Sequence, residues 1–244
     1  MTFSIAARCT RTGQLGIGIA TSSPVVGSRC VHVSREAAVA YQSVPDPRLG
    51  ARTLQRVAQG GLPQQAIDEI LRNDAWAGKR QIGIIDGSGR IAGFTGDLNV
   101  AWAGHLAGTD HIAQGNVLAG PEVVAAMSEA FAGCTDLDLA ERLLLAIEAG
   151  RDAGGQIEGQ TSSALQVHAR DTFALVDLRV DLSDEPIAEL RRIYDWYAPL
   201  IPFYARRADD PGVPRYKDYL REQGHLRSFA PRPPVTRGPK AGAR

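Results

Sequence analysis

The chain changes hydrophobic period in blocks, and that alternation limits its fold more than any other feature. Period-two segments read as strands: TFSIAAR at 2–8 and LGIGIA at 15–20 are joined through Thr10-Arg11-Thr12-Gly13. Short β-rich pieces follow at 30–33 and 37–42, closed by Pro45-Asp46-Pro47. Two helical stretches come next. The first covers 48–58, with Leu49, Leu54 and Val57 on one face, and Pro63 opens the second, with Ala66, Ile67, Ile70 and Leu71 at helical spacing. Strands return at 80–86 and 90–96 around Gly87-Ser88-Gly89, then at 100–104 and 111–116. Pro121 begins a helix to about 132, because proline in a first turn forfeits no hydrogen bond. Asp138 opens another to about 152, ended by Gly154-Gly155. Strands at 162–168 and 173–181 and a helix from Asp184 to about Tyr197 complete the series.

The resulting order is ββββ-αα-ββββ-αα-ββ-α. Doubly wound sheets alternate strand and helix singly, so paired helices between strand groups argue against them. The order suits an α/β (α+β) chain whose two stacked, mainly antiparallel sheets carry a helix layer on each outer face, a four-layer αββα sandwich over residues 1–204. No G-x-G-x-x-G or Walker sequence occurs, which removes the main support for a nucleotide-cofactor fold. With 244 residues, 44% hydrophobic and 22% charged, the composition is that of a globular protein. No apolar run approaches the ~20 residues of a membrane span. The opening MTFSIAARCTRT lacks a basic stretch followed by an apolar core, so no secretory signal is read and a cytoplasmic protein is expected.

Charge is balanced, 27 against 27, but unevenly placed: residues 205–244 hold ten Lys/Arg and four Asp/Glu. This basic, Pro/Arg/Gly-rich part reads as a solvated extension, with 228–244 expected to be disordered. Aromatic-plus-glycine signatures of RNA-binding modules are absent, so neither nucleic acid nor membrane is expected as a partner. Cys9, Cys30 and Cys134 are scattered without a C-x-x-C pair, and the five histidines never stand at i, i+4. No disulfide, metal or cofactor is therefore expected. Tyr194, Trp196, Tyr197, Phe203 and Tyr204 crowd one short stretch; they either pack on the domain or meet a neighbouring copy, and a homo-oligomer is the expectation.

The element order resembles that of the N-terminal-nucleophile (Ntn) hydrolases, proteasome subunits included. More specifically, Thr2-Phe3-Ser4-Ile5, Leu15 through Ala20, Trp102-Ala103-Gly104, Gln114 through Gly120 and Val176 through Asp181 resemble the DUF1028 proteins over about residues 2–200. The run QGNVLAG is the most specific part. The resemblance implies an Ntn-like fold and directs attention to Thr2.

The chemistry of Thr2 stands beside that resemblance. Removing Met1 would leave a hydroxyl nucleophile and a free α-amine on one residue. An α-amine has a pKa of about 7.7–8.0, suited to a general base near neutrality. It can take the hydroxyl proton during attack on a carbonyl and return it to the leaving amine; the plainer alternative is that Thr2 only begins a strand. Proteasome-type enzymes tune the nucleophile with a lysine, yet no lysine precedes Lys79, so that role is vacant or held by an arginine such as Arg29 or Arg35. The reading is therefore an amidohydrolase cleaving a small amide, lactam or ureido bond. A non-catalytic small-ligand-binding member and a self-processing or peptide-cleaving enzyme are the alternatives.

Acyl transfer also needs donors for the developing oxyanion. Gln42 and Asn116 are candidates at strand ends, Asn116 alternatively bonding the Gly120 turn. Ser22 and Ser23 follow the second strand, where a turn-forming role is equally open, and Ser162 begins a later strand. In the family's pattern an Asp follows the double glycine and arginines precede the next Ser; here Gln156, Glu158 and Gln160 occupy those places. Loss of arginine weakens carboxylate recognition, and Glu158 would favour a neutral or cationic substrate. Asp86, Asp97 and Asp177 are candidate acids, with Asp86, before a glycine turn, read as shaping that turn. Trp76 and Trp102 are read as core or pocket wall, and Asp46 as a carboxylate near the amine.

Overall fold

The first strand pair forms as its alternation requires. β1 (Thr2–Arg8) and β2 (Leu15–Thr21) are antiparallel, followed by β3 (Val31–Val33), β4 (Ala37–Ser43), α1 (Pro47–Ala58) and α2 (Pro63–Leu71). Then come β5 (Arg80–Asp86), β6 (Ile91–Thr95), β7 (Trp102–Ala107), β8 (His111–Leu118), α3 (Pro121–Ala132), α4 (Leu139–Asp152), β9 (Ser162–His168), β10 (Ala174–Val180) and α5 (Pro186–Tyr197). These elements come from a computed structural model, which describes residues 1–225 in two compact units, Met1–Tyr197 and the part from Ala198 onward. The second unit holds α6 (Ile201–Asp209) and α7 (Tyr216–Glu222), helices in a stretch read from sequence mostly as an extension. The 228–244 stretch lies outside the described residues.

The strands make two sheets of antiparallel pairs, a six-stranded one in the order β10-β9-β2-β1-β8-β7 and a four-stranded one in the order β3-β4-β5-β6. α1 and α2 pack on the smaller sheet, α3 and α4 on the larger, and strands of the two sheets meet directly. Side-chain alternation explains how each strand serves two layers. In β4, Ala38 and Ala40 join the cluster between the sheets with Ile17, Ile19, Ile85 and Ile112, whereas Val39 and Tyr41 join Ile67, Ile70 and Val57 beneath α1 and α2.

In β2 the pattern is sharper, since Ile17 and Ile19 face the other sheet and Gly16 and Gly18 face α4. A Cβ on Gly18 would stand 2.9 Å from Leu143 O, and one on Gly16 2.8 Å from Leu143 Cδ1. The helix can cross this close only because those side chains are missing.

Two expectations need correction. The strand read at 100–104 begins at Trp102 and runs to Ala107, because residues 96–99 turn (Asn99 N donates to Gly96 O, 3.3 Å) and Ala101 has φ 55°. Trp76 is 58% exposed, neither core nor pocket wall; its ring instead lies under the Lys79 ammonium at 5.0 Å. Of the aromatic stretch, Tyr194 and Phe203 pack within this chain, the first of the two alternatives read from sequence. Among the described residues no helix is long and apolar enough to cross a membrane.

Candidate functional site

Antiparallel register brings four strand ends to one place. Thr2 lies opposite Asn116 of β8 on one side and Thr21 of β2 on the other, and Thr21 lies opposite Ser162 of β9. Cross-strand partners point to the same face. Ala6, Ile19, Ile112 and Ala164 on that face pack between the sheets, so all four polar side chains point there too. Facing them, β4, β5 and β6 present the row Gln42, Gln81 and Thr95.

The two rows, with Ser4 and Gln114 one step further in, form a buried polar cluster. Thr2 is 4% exposed, Asn116 1%, and Ser4, Gln42, Gln81 and Gln114 are fully buried. Buried amides and hydroxyls are costly unless paired, and here nearly every one is. Thr2 Oγ1 lies 3.0 Å from Thr21 Oγ1, which donates to the Met1 carbonyl. Ser4 Oγ donates to Gln42 Oε1 (2.6 Å). Gln42 Nε2 donates to Gln81 Oε1 (2.9 Å) and, at 3.4 Å, to the Thr2 carbonyl. Asn116 Nδ2 donates to Gln81 Oε1 (2.9 Å). Gln114 Nε2 reaches Ala40 O (3.0 Å) and Ser4 Oγ (3.4 Å), while its Oε1 has no partner.

Backbone strain gathers at the same end. The positive-φ residues other than glycine among the described residues are Val25, Ser43, Ala101 and Val117, at φ 66°, 77°, 55° and 55°. Each sits at a strand end or adjoining turn on the Thr2 side, and two are β-branched, for which this region is unfavourable. Such outliers persist where surrounding structure holds them and are concentrated at functional sites. The connection from α4 to β9 spans this end. Its Gly155 carbonyl accepts from Ala119 N (3.1 Å), Gln156 bridges Leu118, and Thr161 N donates to Thr21 O (2.7 Å). The loop is thus anchored on both neighbours of β1. Gln156 is 3% exposed with both side-chain amide atoms unpartnered.

Burial pushes the Met1 amine below its ordinary value; Arg29 acts in the same direction, and the Glu158 carboxylate opposes it. Burial also pushes the Cys30 thiol up to about 11, so this cysteine stays neutral. Arg29 is held by Ser23 Oγ (3.1 Å) and Pro24 O (2.5 Å).

The structure sorts the residues singled out from sequence. Thr2, Gln42 and Asn116 come together between the sheets, and Asn116 bonds Gln81 rather than the Gly120 turn. Ser162 supports the adjoining turn, its Oγ donating to Ser23 O (2.6 Å) and accepting from Val26 N (3.1 Å). Ser22 and Ser23 lie in that turn, and Glu158 is exposed on the spanning loop. Arg35 is paired with Glu36 (2.6 Å) and Asp46 with Arg48 (2.8 Å), so the carboxylate acting on the amine is Glu158, not Asp46. Asp86 shapes its turn, accepting from Ser88 N and Arg90 N (both 2.9 Å), and Asp97 and Asp177 are exposed. Sequence reasoning missed Thr21, Ser4, Gln81 and Gln114. An alternating strand with a polar residue on its buried parity is the one signal that would have flagged them. Among the described residues no group of three or more His, Cys, Asp or Glu side chains could hold a metal ion.

This geometry defines a mixed α/β protein whose two antiparallel sheets enclose hydroxyls and amides around the start of the chain. The protein belongs to DUF1028, a family of unknown function, whose family model matches residues 2–190. Among solved structures it is similar to protein SPO2555 from Silicibacter pomeroyi, described under the same family: 34% identity, a TM-score of 0.75, and coverage of 80% of this chain and 85% of that one. No curated protein matches the chain.

Proposed function

We propose that the protein is an Ntn-type amidohydrolase that cleaves a small-molecule amide, lactam or ureido bond through Thr2 after removal of Met1, on a four-layer Ntn-like fold. The observation that carries this reading is the placement of Thr2. Its hydroxyl is buried between the sheets, 3.0 Å from Thr21 Oγ1, and its backbone nitrogen is one residue from the chain start. Loss of Met1 would leave amine and hydroxyl on the same residue, with Asn116 opposite. The terminal amine would take the hydroxyl proton as Oγ1 attacks and return it to the departing nitrogen. Water would then hydrolyse the threonyl ester by the same route in reverse. Arg29, whose charge lowers the pKa of the Met1 amine, would favour the neutral amine of Thr2 as well.

The hydrogen bond from Thr21 to the Met1 carbonyl favours a second reading, a ligand-binding member that keeps Met1. Intact mass of the purified protein, with wild type and Thr2→Ala assayed on a panel of small amides and ureides, separates the two. A chain lacking Met1 that hydrolyses at least one compound, with activity abolished in Thr2→Ala, is the expected result. Retained Met1, or full activity in Thr2→Ala, would sink the mechanism.

A further inference from the structure

We propose that Gln81 is the positioning residue that makes Asn116 an oxyanion donor for acyl transfer at Thr2, an inference that rests on the reading of Thr2 as nucleophile. The orientation of the Gln81 amide is set by the backbone. Its Nε2 donates to Gly115 O (2.8 Å) and Gly104 O (3.1 Å), with Thr95 Oγ1 at 3.1 Å. Nitrogen must face those carbonyls, so Oε1 faces the other way, where it accepts from Gln42 Nε2 and Asn116 Nδ2, both at 2.9 Å. A carboxamide oxygen has two lone pairs, and both are taken.

The two donors then differ. Gln42 is spent: one N–H goes to Gln81, the other is directed at the Thr2 carbonyl, and its oxygen accepts from Ser4. Asn116 is not. One Nδ2 hydrogen goes to Gln81, and among the described residues the second has no acceptor. A flip of the Asn116 amide would set its oxygen against Gln81 Oε1, so Gln81 holds the N–H end in place. Asn116 stands directly across from Thr2 on the adjoining strand, within reach of an atom bonded to Thr2 Oγ1. An amide there donates at any pH and is already oriented before charge develops, the condition under which one donor changes rate by ~100-fold or more.

β-Propiolactone serves as the probe. Thr2 Oγ1 bonds to the lactone carbonyl carbon, the hydroxyl proton passes to the α-amine, and the carbonyl oxygen takes the negative charge beside Asn116. Collapse breaks the ring C–O bond, and the proton moves from the amine to the ring oxygen. A hydroxypropanoyl ester remains, with no atom lost.

Labelling at Thr2, quenched with acid on a time course short enough to precede hydrolysis of the ester, is followed by intact mass and peptide mapping, with the limiting rate and the half-saturating lactone concentration measured separately. Gln81→Leu and Asn116→Ala should each lower the limiting rate roughly 100-fold without moving half-saturation, and the double variant should be no slower than either. Gln81→Glu supplies the variant with nearly native shape. Its protonated acid keeps the accepting oxygen and one donor, so labelling should approach the wild-type rate in acid and fall as the carboxyl ionises. The pH profile becomes a bell where the wild type has one ascending limb. An undiminished limiting rate in folded Gln81→Leu, additive losses, or a wild-type profile in Gln81→Glu would overturn the assignment of Gln81 alone. Where Gln81→Leu does not fold, Gln81→Glu decides. Wild-type labelling no different from that of Thr2→Ala would bring down the nucleophile reading and this inference together.

Discussion

Thr2 combines two features: its hydroxyl lies in the polar layer between the two sheets, and its nitrogen is one residue from the start of the chain. Burial destabilises a charged ammonium, so the amine of Met1 already sits below its ordinary 8.0. A Thr2 amine exposed in its place would feel the same burial and the same Arg29. On the proposed mechanism kcat/KM therefore rises with pH through one limb whose midpoint lies below about 8. Thr2→Ser should keep that limb, since hydroxyl and amine both survive. Glu158→Gln should move it toward acid, because a carboxylate that favours the ammonium is gone. A rate flat across about pH 5 to 9 would refute the amine as base. Thr2 could be singled out in the sequence because the proposed chemistry needs only a hydroxyl residue next to Met1. Gln81 was not, because its importance comes from three backbone and side-chain acceptors contributed by other strands.

The glycines of β2 show what one element demands of another. Alternation in LGIGIA is a strand signal, but it does not say which parity meets a helix. In the structure the glycine face meets α4, with Leu143 fully buried against it. Gly18→Val would drive a branched side chain into the Leu143 carbonyl and the Ile147 side chain. Overpacking of this kind costs about 1–3 kcal/mol, to be read as a lower urea midpoint with an unchanged slope. An unchanged midpoint would mean that α4 can shift away freely. Most element boundaries agree with the periodicity to within a residue or two, since burial on one face imposes the period directly. β7 departs from it because the 96–101 segment is held by contacts to Gly78 and Arg80, distant in sequence.

Across the whole molecule the histidines set an acid limit. His32, His105, His111 and His168 are each held below the ordinary imidazole value by burial, His111 also by the Arg142 cation. Unfolding exposes them to water, where they bind protons near pH 6.5. The unfolded chain then carries more protons than the folded one, and the unfolding free energy rises with pH over that range. Stability is therefore greatest above about pH 6.5 and falls as pH drops below it. The depressed carboxyls act later: Asp46, held near 2 by Arg48, contributes stability that is lost only as pH falls below the ordinary carboxylate range. Calorimetry should give a lower Tm at about pH 5.5 than at about pH 7.5, and equal values would show that the imidazoles are not buried as described.

Block order and the chemistry available to Thr2 were legible from the sequence by itself, because each depends on residues close together along the chain. That β1 pairs with β8 and β2 with β9, which sets the chain start beside Asn116, depended on pairing between segments more than a hundred residues apart. The tertiary structure alone decided which polar side chains share a buried layer. A glutamine in an alternating strand reads the same whether it faces solvent or the opposite sheet, and only the stacking of the two sheets makes Gln42, Gln81 and Asn116 one hydrogen-bonded group.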